Sequence, residues 1–173
     1  MGRKKSKQKD EDDKPPRQRK AKRADKSRAR GSNSSTSIVA FENQLRKINK
    51  RIIVAASDGN CLFRSLSLLL DETQLPHQHA HYRHMIMTEI EDHADDYRWF
   101  VEEDEKFDDY VDRLRCDGEW GGQIELMACS RIFNVDIIVH QEDPKPSFSF
   151  GESNPKTIEL SFHGEEHYNA VVN

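Results

Sequence analysis

Cys61 and His167 are the two residues of this sequence best suited to nucleophilic chemistry. A thiol attacks carbonyl carbon as its thiolate, and an imidazole is the usual base that makes one. Cys61 lies in the polar stretch Asp58-Gly59-Asn60-Cys61-Leu62-Phe63-Arg64, and His167 in Glu166-His167-Tyr168-Asn169-Ala170-Val171-Val172. If the second stretch is a strand, His167 and Asn169 share one face while Tyr168, Ala170 and Val172 turn to the core. Asn169 then stands where its amide oxygen can fix the tautomer and ring orientation of the base. Most lone cysteines are small buried hydrophobes and most strand histidines are structural. A polar turn before the cysteine, with a base and its orienting partner later in the chain, shifts the balance towards chemistry.

The elements that must position this pair can be read on either side of it. Arg51–Ser57 has the pattern of a short buried strand ending in a turn. Leu62, Phe63, Leu66, Leu69 and Leu70 recur at helical spacing, so a helix is expected to start at or beside Cys61. Asn60 is the expected N-cap, and Gly59 permits a tight turn before it. Cys61 would then occupy the first helical turn. There, unpaired N–H groups and the helix dipole stabilise a thiolate and can hold an oxyanion.

The seven residues Asp58 to Arg64 resemble the signature of the ovarian tumour (OTU) family of deubiquitinating cysteine proteases. Two further stretches are similar to that family: Trp120, Gly121, Gly122, Glu125, Leu126 and Ala128, and the terminal His167-Tyr168-Asn169. The likeness runs from about Phe41 to Val172. It implies a papain-like α/β (α+β) fold, a small central sheet flanked by helices, with the site where the cysteine helix meets the sheet. It also implies hydrolysis of the bond at the C-terminal glycine of ubiquitin. Cys61 would be the nucleophile, His167 the proton shuttle, and backbone N–H groups around Asp58, Gly59, Asn60 and Cys61 the oxyanion donors. The resemblance counts Asp58 with the catalytic set, although its position favours ordering the loop. Asp58 and Asn169 thus both remain candidates for orienting His167. No metal or organic cofactor is implied.

The 173 residues suffice for one domain and a tail, and charge divides them unevenly. Residues 1–30 carry 14 Lys/Arg against 5 Asp/Glu, whereas the whole chain is at −4. Residues 1–37 lack hydrophobic periodicity and read as a disordered basic tail, with 38–173 as the catalytic domain. The run from Lys14 to Arg23 suits a nuclear import receptor, RNA, or no specific partner at all. An adaptor that binds ubiquitin or RNA with weak or no turnover is the alternative reading. Three cysteines and the lack of a long apolar run suggest a reducing compartment (cytoplasm or nucleus), a monomer and no membrane contact. Cys116 and Cys129 are expected to be structural thiols.

The remaining expectations concern scaffold. A helix is expected over Ile38–Lys50, capped by Ser37, with Phe41, Leu45 and Ile48 on one face. Asp71–Pro76 reads as a loop and His77–Asp96 as a long helix with Tyr82, Met85, Ile86 and Ile90 inward. His77, His81 and His84 fall on one face of it but lack the other ligands of a zinc site. The acidic run Glu89–Asp109 reads as solvated surface, its alternative role being to dock a basic partner. Short helical pieces at Trp99–Val101 and Phe107–Leu114 precede a helix over Ile124–Phe133, whose entry Trp120 should anchor. Strands are expected at Asn134–His140, Phe148–Phe150 and Thr157–Phe162.

Overall fold

The computed structural model describes residues 34–71, 78–164 and 166–173, and within it Thr36–Asn173 form a compact unit. The basic segment and its localisation run lie outside the described residues, as do His77 and most of the Asp71–Pro76 stretch. Helices α1 (Ser34–Arg46), α2 (Cys61–Leu70), α3 (His79–Asp92), α4 (Ala94–Tyr97), α5 (Phe107–Arg115) and α6 (Gln123–Phe133) accompany five strands. These are β1 (Arg51–Ile53), β2 (Val135–Gln141), β3 (Phe148–Phe150), β4 (Lys156–His163) and β5 (His167–Val172). They form one mixed sheet in the order β1-β5-β4-β2-β3, with β2 and β4 parallel and the other pairs antiparallel.

The expected α+β architecture is present, and two apolar clusters hold it. In the larger, Leu62, Phe63 and Leu66 of α2 pack with Ile86, Met87 and Ile90 of α3 and Leu126 and Ala128 of α6. Val135, Ile137, Val139, Leu160 and Tyr168 supply its sheet side. In the smaller, Phe41 and Leu45 of α1 meet Ile52 and Val171. Each such side chain contributes about 1.5–3 kcal/mol on burial. β5 is therefore covered on both faces, and Tyr168, Asn169, Ala170 and Val171 are all buried. Side chains still alternate between the two faces, Tyr168 towards the larger cluster and Val171 towards the smaller, but both faces are buried because α1 covers the second.

Several scaffold expectations need correction. The first helix starts at Ser34 and ends at Arg46, so Ser37 lies inside it and Ile48, in the following turn, is 55% exposed. The long helix breaks at His93 into α3 and α4, and Met87, not Met85, reaches the core. Trp120 is 48% exposed and does not anchor α6; its entry is tied instead by the Gly122 N–H donating to Glu125 Oε2 at 2.6 Å. Cys129 is buried but Cys116 is exposed, so only the first is a core thiol. His81 and His84 are exposed on α3. No helix among the described residues is long and apolar enough to cross a membrane.

Candidate active site

Cys61 begins α2, whose first intrahelical bond runs from the Arg64 N–H to the Asn60 carbonyl at 2.9 Å. The N–H groups of Cys61 and Leu62 are left without helical partners and lie against the thiol. Packing of α2 on β5 brings the Tyr168 backbone amide to the same sulfur, so Cys61 stands beside the residue that follows His167. Ser65 reinforces the junction, donating to the Cys61 carbonyl at 2.8 Å and reaching the Tyr168 carbonyl at 3.5 Å.

Electrostatically the site differs from the sequence expectation. Cys61 is only 5% exposed, and burial pushes its thiol up despite the nearby amides of Tyr168 and Leu62. Desolvation at Cys61 outweighs the helix terminus and favours the neutral thiol. Burial also lowers the His167 pKa. The Ala55 carbonyl opposes that shift first, followed by the Asn169 amide and the more distant Asp58 charge. Burial thus favours the neutral form of both groups.

His167 is held by a group that sequence reasoning missed. Its Nε2 lies 3.2 Å from the Ala55 carbonyl oxygen. A carbonyl can only accept, so Nε2 carries the proton and Nδ1 keeps the lone pair. Asn169 is fully buried, and its amide lies near the His167 ring. Besides this side-chain interaction with His167, its Oδ1 accepts from the Ala55 N–H at 3.0 Å, and Nδ2 faces Ser161 Oγ and His163 Nδ1. Ala55 was hidden because a backbone group has no signature in sequence.

Asp58 orders the loop. Its Oδ1 accepts the Asn60 N–H at 3.0 Å, and Arg64 donates to Oδ2 from Nη2 at 2.6 Å and from Nε at 3.1 Å. Arg64 holds this carboxyl down at about 2. The Asn60 N–H is thereby committed, leaving those of Cys61 and Leu62 as the donors at this helix end. Asn60 occupies the N-cap position but makes no side-chain cap bond. Its Oδ1 instead accepts from Arg83 Nη2 at 2.7 Å and Gly118 N–H at 3.0 Å. Arg83 also donates to the carbonyls of Leu114 and Glu119 and lies 4.0 Å over the Phe63 ring. Its signal was available: position 83 shares the inward stripe of Ile86, Met87 and Ile90.

Asp58→Asn keeps the acceptor for the Asn60 N–H, whereas Asp58→Ala removes it along with the ion pair. The pair is partly exposed, so its own worth is below about 1 kcal/mol. Urea unfolding at neutral pH should show Asp58→Ala losing about 1–2 kcal/mol and Asp58→Asn clearly less. Because the folded pKa is depressed, the charge contribution is present above the unfolded value of 3.8 and is lost as pH falls towards about 2. Equal losses in both variants at neutral pH would show that the loop bond is not what Asp58 provides.

The model of the OTU-like cysteine protease family matches residues 56–168, well over half of the chain. This chain belongs to that family. OVARIAN TUMOR DOMAIN-containing deubiquitinating enzyme 7 of Arabidopsis thaliana is 33% identical over 133 residues, covering 76% of this chain and 35% of that protein. Enzyme 10 of the same name series and organism is 30% identical, over 76% of this chain and 37% of its own length. This chain thus spans little more than a third of the length of either relative. Among solved structures, the OTU domain of OTUD1 is similar with a TM-score of 0.69 at 25% identity, covering 79% of this chain and 95% of that one. An OTU domain in complex with ubiquitin shares the fold at TM-score 0.62 and 22% identity, over 71% of this chain and 69% of that one.

Proposed function

We propose that this OTU domain hydrolyses the amide or isopeptide bond at the C-terminal glycine of ubiquitin, with Cys61 as nucleophile and His167 as base. The observation that carries the reading is family membership spanning both residues, joined to the packing that sets the Cys61 sulfur against the amide beside His167. In this mechanism His167 Nδ1 takes the thiol proton as Sγ attacks the glycine carbonyl carbon. The oxyanion gathers charge near the first-turn N–H groups of α2. The imidazolium gives its proton to the leaving amine, the C–N bond breaks, and a thioester remains. Water, deprotonated by the same imidazole, hydrolyses that thioester and frees the thiol. The protein's own groups suffice for every step.

Incubation with a panel of ubiquitin dimers of every linkage tests the reading directly. Cleavage of at least one linkage is expected, with the acid limb of kcat/KM lying below the ordinary histidine value of 6.5, because burial favours the neutral base. No cleavage of any dimer, together with no labelling by a ubiquitin probe bearing a thiol-reactive C-terminus, would leave the adaptor reading in its place. The basic residues of 1–30 support a separate contribution, retention by RNA or an import receptor in the cytoplasm or nucleus.

A further inference from the structure

Two histidines stand at this end of the sheet. His163 ends β4 opposite His167, its register partner, with the rings edge-on and their centroids 5.4 Å apart. It is only 6% exposed, and its Nδ1 lies 3.3 Å from Asn169 Nδ2. Donor and acceptor rules give that bond its direction. The Ala55 N–H can only donate, so the Asn169 atom facing it must be the oxygen. The amide therefore presents its NH2 to Ser161 Oγ, at 3.4 Å, and to His163. An NH2 requires a lone pair, so His163 Nδ1 is unprotonated and the proton of its neutral ring is on Nε2. From Ala55 the path continues through its carbonyl to the Nε2–H of His167.

We propose that His163 is a positioning residue for the hydrolysis: its neutral ring holds the Asn169 amide in the one direction that grips Ala55, and through the Ala55 carbonyl sets the tautomer of His167. The proposal rests on the catalytic reading of His167 above. A proton on His163 Nδ1 would set donor against donor, and turning the amide to relieve this would aim Nδ2 at the Ala55 N–H. The groups facing His163 favour the neutral ring. Burial lowers its pKa first and His167 lowers it further, while Glu142, on the β2–β3 connection, opposes them. Asp143 and Lys145 line the same cleft with opposite charges. Removing the acceptor leaves one N–H of Asn169 unsatisfied in a buried site, with only the longer contact to Ser161 to hold the amide.

Nitrogen-15 NMR of the imidazoles in the full chain tests this, alongside steady-state cleavage of a ubiquitin amide substrate. Wild type at neutral pH should show both His163 and His167 with the proton on Nε2. In His163→Leu, His167 should become a mixture of tautomers, and kcat should fall about 10-fold, a part of the 10²–10⁴-fold that acid–base positioning supplies, with KM little changed. His163→Asn, whose Oδ1 stands near the former Nδ1, should recover most of both. A wild-type His163 protonated on Nδ1, an unaltered His167 tautomer in His163→Leu, or equal losses in the Leu and Asn variants would each overturn the proposal. Should His163→Leu fail to fold, His163→Met, of similar bulk and without the acceptor, serves in its place. If wild type cleaves no ubiquitin substrate, the hydrolase reading falls while the tautomer measurements still decide the role of His163.

Discussion

Replacing Cys61 with alanine is expected to reduce cleavage of a ubiquitin substrate to background, a loss on the order of 10⁶-fold, while ubiquitin binding stays close to wild type. The asymmetry follows from how little else the sulfur does. Cys61 is the first residue of α2, and alanine preserves its helical backbone, the Ser65 bond to its carbonyl and the neighbouring core residues Leu62 and Phe63. Loss of one buried sulfur contact should cost about 1 kcal/mol of stability. Cys129→Ala removes a more deeply buried thiol, so it should cost at least as much stability yet leave turnover in place. Turnover assays, calorimetric binding and thermal unfolding on the two variants separate chemistry from packing. A Cys61→Ala protein that cleaves at more than a few per cent of wild type would sink the thiol mechanism.

Gly59→Ala should be the most damaging single-methyl change in the described chain. A Cβ at Gly59 would come within 1.8 Å of the Gly118 carbonyl oxygen and 2.5 Å of its carbon, and both are backbone atoms that no rotamer can move aside. The residue also has φ of +83°, which itself costs a side-chain-bearing residue roughly 1–2 kcal/mol. Relief requires parting the Asp58–Cys61 turn from the Gly118 segment, which breaks the Gly118 N–H bond to Asn60 and disturbs the Arg83 contacts behind it. A loss above about 3 kcal/mol and a Tm lower by roughly 10 °C are expected, with turnover falling alongside. Gly164→Ala is the control: φ there is +62°, but nothing lies within 4 Å of the new Cβ. If thermal unfolding gave the same shift for both variants, backbone conformation and not the close approach would be what glycine supplies at 59.

The parts legible in sequence are those governed by local spacing. The start of α2 at Cys61 followed from apolar periodicity after a polar turn, and Val135, Ile137 and Val139 do alternate into the core as their pattern implied. What escaped the sequence depends on partners far along the chain. Asn60 has the right residue type for a cap, yet Arg83 and Gly118, 23 and 58 positions away, claim its oxygen. The run Arg51–Ser57 reads as a short strand ending in a turn, and pairing with β5 does stop at Ile53, but the partners of the turn were not legible. Two residues on, the Ala55 N–H and carbonyl are taken by Asn169 and His167 side chains in place of a ladder. Local composition carries no trace of that exchange. Nor does it mark His163, whose importance arises only when β4 and β5 pair.

The interior position of β5 links correct folding to a competent site. The strand is paired on both edges, with Val171 opposite Ile52 on one side and Glu159 on the other, and it is buried on both faces. A slip of one residue in either pairing would turn His167 and Asn169 into the larger apolar cluster and push Tyr168 and Ala170 towards α1. Such a misassembled chain would bury unmatched polar groups and lose the core packing of Tyr168, so it would be unstable as well as inert. Selection for a chain that merely folds therefore already screens for one whose histidine is aligned.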